Sequence, residues 1–521
     1  MKYINKIFLL MTAAVSMAAC SDFLEPNSKS EFVPKDAVSL NELLLGEAYL
    51  RNDKTGFNIF LGLLDDDIEA TPYQDPAKNF EEDKFLASFA WQPKMFEMME
   101  KANSGHINIY ERYYELILGA NAVLDYLPEI TDTQDNINIV KAQAYALRGF
   151  YYFNLVNIFG APYNSDSTAL GVPLKLQSGI EASDDYLKRK TVAEVYAQIL
   201  SDLHAAEDTY LQLPESQRWK ANSYRTNLPM VQLMLSRTYL YMENWKKASA
   251  YADSVMKHPG LKLVDLNNVS TEGYDDNGKE IRNYLVYPTT KSSETIWSYG
   301  NVEDMFKWTY EGINSENSKG DTLHAYFQAS KELKDLFDDF DLRKERYIVK
   351  TPQDSLRMMP FGKVVIGTTY YLPKHGEGVF GRSLRLSEAY LNYAEAEARL
   401  GGDGIAKAAD VLTKLRERRC DVEFDYEVSI TDADELIEFI KEERRRELCF
   451  EGHRWFDLRR WGMPEIKHIW HKSKTESLEY TLAEGDLMYT IPIPDEALEE
   501  NPKLEQNELP GERTYQTITK Q

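Results

Sequence analysis

The sequence predicts a mainly α-helical scaffold of paired helices that carries long irregular insertions. Apolar residues recur at steps of three and four over several long stretches, the mark of amphipathic helices. One helix–turn–helix pattern appears at two distant places. Stretches rich in Gly, Asn, Asp, Pro, Tyr and Trp separate the helical pairs. With 43 % hydrophobic residues in 521, the chain has ample material for a core.

The N-terminus reads as a targeting segment. Lys2 and Lys6 precede a mostly apolar run from Ile7 to Ala19, too short to span a bilayer, which takes roughly 20 residues. The run ends Met17-Ala-Ala-Cys20, which looks like a lipobox whose cleavage leaves Cys20 to carry acyl chains. Residues 1–19 are therefore expected to be a lipoprotein signal peptide, 20–34 a lipidated polar tether, and 35–521 one domain.

The first helix pair is expected over 110–126 and 138–159. In the second of these, Val140, Ala144, Leu147, Tyr151 and Leu155 form one apolar face, and Gly160 with Pro162 stops it. A second group follows at 191–210, 228–242 and 245–256, and a third at 388–400 and 405–418. The words Leu240-Tyr-Met-Glu-Asn-Trp-Lys-Lys-Ala248 and Leu400-Gly-Gly-Asp-Gly-Ile-Ala-Lys-Ala408 share a helix end, a tight turn and a small residue eight positions after the leucine. That resembles a degenerate tetratricopeptide-type array, although unrelated hairpins could share the spacing. The stretches 52–108, 260–321 and 342–381 are the insertions, which in a solenoid gather on one face. Within them Asn277-Gly278 suits a hairpin turn, and Trp297 reads as strand core.

The formal net charge of −24 opposes nucleic-acid phosphates and is compatible with neutral ligands. Cys420 and Cys449 are too few for a disulfide framework and are expected as buried free thiols. No G-x-x-x-x-G-K-[ST], G-x-S-x-G, H-E-x-x-H or paired C-x-x-C occurs. His468 and His471 are expected to face solvent, and Asp65-Asp66-Asp67 to be a solvated loop or helix end. No catalytic set, cofactor or metal site is expected.

The word Glu443-Arg-Arg-Arg-Glu-Leu-Cys-Phe-Glu-Gly-His-Arg-Trp-Phe-Asp-Leu-Arg-Arg-Trp-Gly462 closely resembles the C-terminal signature of the SusD/RagB family. The stretches Ala142–Gly160, Leu386–Ala396 and Ile491-Pro-Ile-Pro494 with Asn501-Pro502 and Gln506-Asn507 resemble other parts of that family, in order along the chain. Physically the signature reads as a fold device. Thr431 and Asp434 could cap its helix, Glu442 and Arg446 can pair at i,i+4, and its remaining charges suit a partly buried ion network between aromatic rings. An arginine clamp for an anionic ligand is the functional alternative.

The resemblance implies a SusD-like fold and a lipid-anchored, surface-exposed outer-membrane protein. It would bind glycan without cleaving it and act as lid to a SusC-like TonB-dependent transporter. Peptide capture, as in RagB-like members, is the rival. Sugar rings lie flat on aromatic faces while amides and carboxylates take hydroxyl pairs. Two segments show such a pattern: Asp67, Tyr73, Gln74, Asn79, Trp91 and Gln92, in a region from which SusD-like proteins draw ligand contacts, and Trp308, Tyr310 and Asn314.

Overall fold

The computed structural model describes residues 33–50, 59–70, 83–102, 108–180, 183–221, 223–268, 292–300, 327–347, 380–473 and 475–519, with short strand pieces at 272–274, 280–282, 349–350 and 356–357. Its principal helices are α1 (Ala37–Leu43), α2 (Asp83–Phe89), α3 (Met95–Lys101), α4 (Ile109–Tyr126), α5 (Gln134–Phe159), α6 (Val192–Leu211), α7 (Leu228–Tyr241), α8 (Trp245–Met256), α9 (Leu386–Leu400), α10 (Asp403–Arg416), α11 (Ala433–Leu448) and α12 (Arg454–Arg460). The expected helices are all present, with ends moved by a few residues. Strands are few and short. They are β1 (Ile68–Ala70), β2 (Thr295–Tyr299), β3 (Phe327–Ala329), β4 (Arg382–Arg385), β5 (Ile466–Trp470), β6 (Glu476–Leu482) and β7 (Gln516–Thr519).

α4 to α10 pack as successive neighbours. α5 is buried on nearly every face, which its run of aromatic and aliphatic residues from Leu147 to Phe159 permits. It is fastened to α6 by the buried Arg148–Asp202 pair at 2.6 Å. α7–α8 and α9–α10 are the two hairpins that share a sequence pattern. Each turns through left-handed backbone, at Glu243 (φ 58°) in one and at Gly401 and Gly402 (φ 70° and 57°) in the other. The shared small residues, Ala248 and Ala408, are fully buried. Arg237 of α7 and Glu388 of α9 join the two hairpins through a buried bidentate pair at 2.6 Å.

β1 pairs antiparallel with β3, and β2 with β4 in the register Arg382↔Tyr299, Ser383↔Ser298, Leu384↔Trp297. The last three strands form an antiparallel sheet in the order β5-β6-β7. Residues 272–274 and 280–282 also pair antiparallel, as a turn at Asn277-Gly278 would require, although that turn lies outside the described residues.

α11 carries the start of the signature; its Glu443, Arg444, Arg446 and Glu447 are buried, while Arg445, Glu451 and Arg454 stay partly exposed, so the network is partly buried as expected. Glu443 accepts from Arg343 at 2.7 Å, Arg446 at 3.0 Å and Arg416 at 3.3 Å. Glu447 accepts from Arg385 at 2.5 Å, Arg343 at 2.9 Å and Arg419 at 3.0 Å. Glu294, just before β2, accepts from Arg385 and Arg419, both at 2.8 Å, and Asp341 takes the other edge of Arg343. Burial alone would raise both α11 glutamates. The surrounding guanidiniums outweigh it and hold each well below the carboxylate range. The helix cap sits one residue later than Thr431. Asp432 accepts from the backbone N–H groups of Asp434 and Glu435. Cys420 and Cys449 are buried free thiols.

A second knot lies on α9, where Glu395 accepts from Arg460 at 2.5 and 2.7 Å. Burial raises the Glu395 pKa, but Arg460 more than compensates and brings it to about 2. A depressed carboxylate stabilises the fold above its unfolded pKa, near 4.5, and loses that contribution as pH falls toward the folded value.

Removing one partner of a buried network strands the others. Glu447→Ala is expected to cost roughly 3–5 kcal/mol in chemical denaturation. Lys331→Ala, which breaks the exposed Lys331–Asp335 pair, is expected to cost less than about 1 kcal/mol. The Glu395 shift predicts that a Glu395→Gln variant, already less stable at neutral pH, loses less stability than wild type between pH 4.5 and 2. Denaturation midpoints measured across that range check the sign.

Candidate functional site

Three of the long non-repetitive stretches attach at one place. Gly300 donates to the carbonyl of Leu50 at 3.5 Å, and Gly381 donates to the carbonyl of Gly300 at 3.1 Å. Leu50, Gly300 and Gly381 therefore lie side by side, at the outer end of the β2–β4 ribbon.

The floor here is Trp297 of β2. It is fully buried, as the sequence suggested, stacks on Tyr299 at 4.7 Å and meets Phe150 of α5 edge-on at 5.0 Å. Its indole N–H donates to the carbonyl of Tyr224 at 2.9 Å, which fixes the turn leading into α7. Asn227 fixes the same turn twice. Its side-chain oxygen caps α7 at Met230, and its amide donates to the carbonyl of Ile296 at 2.8 Å. Held from beneath, the ring of Tyr224 is 43 % exposed and lies 6.1 Å from Phe380.

Arg225 lies against this aromatic pair, and Arg382 follows Phe380 by two residues. Arg225 lies over the rings of Tyr49 and Tyr224, at 5.3 and 5.5 Å. Tyr49 is itself anchored, donating to Gln143 at 2.6 Å and accepting from the Thr226 N–H at 3.0 Å. Burial raises the Tyr49 pKa, and the Arg225 cation opposes that rise. Arg382 opens β4 opposite Tyr299, with its guanidinium lying across Gly452, where a Cβ would come within 2.2 Å of it. Burial likewise raises the Tyr299 pKa, with Arg382 opposing. An exposed phenol whose backbone is fixed by a buried indole N–H offers a flat face for stacking, and the Arg225 guanidinium supplies directional donors beside it.

Of the sequence-predicted contacts, Tyr73, Gln74, Asn79, Trp308, Tyr310, Asn314 and the lipidation residue Cys20 lie outside the described residues. The other three are found together in a filled cluster built on different elements. Trp91 was expected as a platform, but it has no exposed surface. It stacks on His468 at 4.2 Å and donates to the carbonyl of Leu64 at 2.9 Å. Its left-handed backbone (φ 49°) turns the ring inward between α2 and α3. Gln92 makes two hydrogen bonds to the backbone of Arg513, at 3.1 and 3.2 Å. Asp67 accepts from Arg445 at 2.8 Å and is buried.

The acidic triplet is therefore a docking point for the signature, not a solvated loop. Asp66 holds Arg454 at 2.6 Å, and its pKa is lowered because Arg445 and Arg454 outweigh burial. Asp65, buried beside two like charges, is raised well above the usual range. His468 also departs from expectation. It points into the core from β5, between the carbonyls of Phe89 and Asp65, and burial holds its pKa down to about 4 against those two acceptors. His471 is half-buried and bonds Ser477 at 2.9 Å. Among the described residues no cluster of His, Cys, Asp and Glu is arranged to hold a metal ion.

Sequence reasoning missed Tyr224, Arg225, Phe380 and Arg382. One signal was available: Asn222-Ser-Tyr-Arg-Thr-Asn227 places an aromatic ring among amides and an arginine just before a helix start. No local signal marked Arg382, whose role depends on where β4 ends up.

These features make a candidate ligand face mounted on a helical-hairpin scaffold. The family comparisons agree with that class. Residues 236–511 match the family model described as the SusD family, and residues 58–240 match a model described as "Starch-binding associating with outer membrane". The chain belongs to the SusD family. A SusD-like protein of Formosa agariphila is 25 % identical over 391 residues, covering 67 % of this chain and 71 % of its own length. Another from the same organism is 22 % identical, covering 96 % of this chain and 98 % of its own. Among solved structures, a SusD-like carbohydrate binding protein from Bacteroides vulgatus has a TM-score of 0.64 at 20 % identity, covering 90 % of this chain and 98 % of its own. A SusD superfamily protein from Bacteroides thetaiotaomicron has a TM-score of 0.65 at 20 % identity, covering 91 % and 100 %. These likenesses establish the fold.

The burial of Trp91 sets an expectation. Trp91→Ala should destabilise the protein by about 3–5 kcal/mol in chemical denaturation, the cost of emptying a buried aromatic site. Its effect on ligand binding should be no larger than unfolding explains.

Proposed function

We propose that this protein captures glycans at the cell surface as a lipid-anchored outer-membrane lipoprotein and passes them, uncut, to a SusC-like TonB-dependent transporter. The observation that carries the binding half of this reading is the exposed Tyr224 ring, held on Trp297 where three insertions attach. Aromatic faces take the apolar sides of sugar rings, and a rigid mount lowers the entropy lost on binding. The description of one matching family model, which names starch binding and outer-membrane association, supports the glycan and outer-membrane parts of the reading.

In this reading Cys20 carries the lipid and residues 20–34 tether the domain. Trp308, Tyr310 and Asn314 belong to the stretch that begins after Gly300, and we assign them to the same ligand face as Tyr224. Tyr73, Gln74 and Asn79 are assigned on the family resemblance alone. The rigid-mount argument favours glycan over peptide, whose capture would rest on backbone hydrogen bonding instead.

The test is affinity electrophoresis of the soluble protein, starting at Ser21, through gels containing plant, host and microbial polysaccharides, with peptide pools titrated in parallel. Retention by a polysaccharide without release of smaller sugars supports the proposal. Binding to peptides alone would overturn it. Tyr224→Ala is expected to weaken glycan binding by about tenfold, the loss of roughly one stacking contact of about 1.4 kcal/mol, with an unchanged denaturation midpoint.

A further inference from the structure

In a chain with net charge −24, cations are scarce, and the structure uses nearly all its described arginines. Those of the signature are engaged by carboxylates or, for Arg459, by backbone carbonyls. The arginine clamp considered from the sequence is therefore closed. Among the described residues, Arg225, Arg382 and Arg399 have neither a carboxylate nor a carbonyl partner. Arg399 is exposed at the end of α9 and lies on Trp245.

Arg225 and Arg382 are different. Both are half-buried, and Arg225 Nη1 and Arg382 Nε are each buried without an acceptor; Arg225 lies over the Tyr224 ring, and Arg382 stands two residues after Phe380 on the strand that faces Tyr299. Glu451, the chain neighbour of the glycine under Arg382, is engaged by Arg385 at 2.8 Å. Glu388, also near Tyr299, is engaged by Arg237 at 2.6 Å. Leaving buried guanidinium donors unmatched is costly, and an incoming anion would satisfy them.

We propose that Arg225 and Arg382 form an anion-recognition pair beside the Tyr224 platform, so that the ligand is an acidic glycan bearing carboxylate or sulfate groups. The inference rests on the glycan-binding reading above and narrows it to a substrate class. A planar guanidinium matches either group through two parallel N–H···O bonds. The overall negative field does not forbid this. At physiological ionic strength charges are screened beyond about 8 Å, whereas contacts at hydrogen-bond distance are not.

The experiment compares matched ligands on the unaltered soluble protein: polygalacturonate against its carboxyl-reduced form, a sulfated galactan against its desulfated form, and amylose as a neutral reference. Affinities are measured by calorimetry at about 0.15 M salt, near the physiological screening regime. The proposal expects binding of one acidic polymer, weakened at least about tenfold when its anionic group is removed, the scale of one charge-assisted hydrogen bond. Which pair responds identifies carboxylate or sulfate. Arg225→Gln and Arg382→Gln should each weaken that binding about tenfold, with the lysine variants intermediate. If Arg225→Gln fails to fold, Arg382→Gln and the chemically modified polymers still decide.

Tight binding of amylose, indifferent to both arginines, would overturn the anion pair and leave the glycan reading standing. Acidic-polymer binding unchanged by both glutamine variants would also overturn it. Peptide binding with no glycan binding would overturn both readings.

Discussion

The burial of Glu443 and Glu447 on one helix draws together the segments that carry Arg343, Arg385, Arg416 and Arg419. Two carboxylates one helical turn apart, with no access to water, are tolerable only if cations are brought to them from outside the helix. The cations come from distant points: Arg343 from the start of the short helix Arg343–Tyr347, Arg385 from the end of β4, and Arg416 and Arg419 from the end of α10 and just beyond it. Glu294, Asp341 and Glu451 balance the remaining guanidinium edges. Replacing such a set with apolar residues can be neutral or stabilising. Its value here is geometric, because only one arrangement of these segments satisfies every group.

That arrangement reaches the proposed ligand face directly. Glu294 immediately precedes β2, and Arg385 closes β4, so the network pins the inner end of the ribbon. The ribbon's outer end carries Tyr299 and Arg382 and receives the insertions. Trp297, midway along, transmits the placement to Tyr224 through one hydrogen bond and to α5 through its ring contacts. The fold signature and the ligand face are thus opposite ends of a short two-stranded element. Arginines at the buried end are neutralised within the fold, and those at the open end are not.

The helical scaffold was legible because its signals are local. Stripes such as Val140–Leu155 and Ile405–Leu415 specify a buried face wherever the helix packs, and the Leu240 and Leu400 words mark turns whose left-handed backbone the structure shows. The signature was recognisable as a partly buried structural ion network, although its partners were not, since Arg343 and Arg385 stand far from it in sequence. The site was far less legible. Trp91 and Asp67 lie near each other in sequence and are rich in binding-type chemistry, yet the core takes them. Trp91 closes over His468, and Asp67 receives Arg445 from a helix nearly four hundred residues later. His468 looked solvent-facing when paired with His471 at helical spacing. In a strand the same residue points inward. Arg382 becomes noticeable, with Arg225, only after most of the other described arginines have found carboxylate or carbonyl partners.

The most direct test of this account is hydrogen–deuterium exchange of the soluble protein with and without a saturating polysaccharide that it retains. Protection concentrated at residues 222–227, 296–301 and 379–384 would place the ligand at the open end of the β2–β4 ribbon, as the account predicts. Protection confined to residues 88–95 and 466–471, around Trp91 and His468, with none along the ribbon, would contradict it.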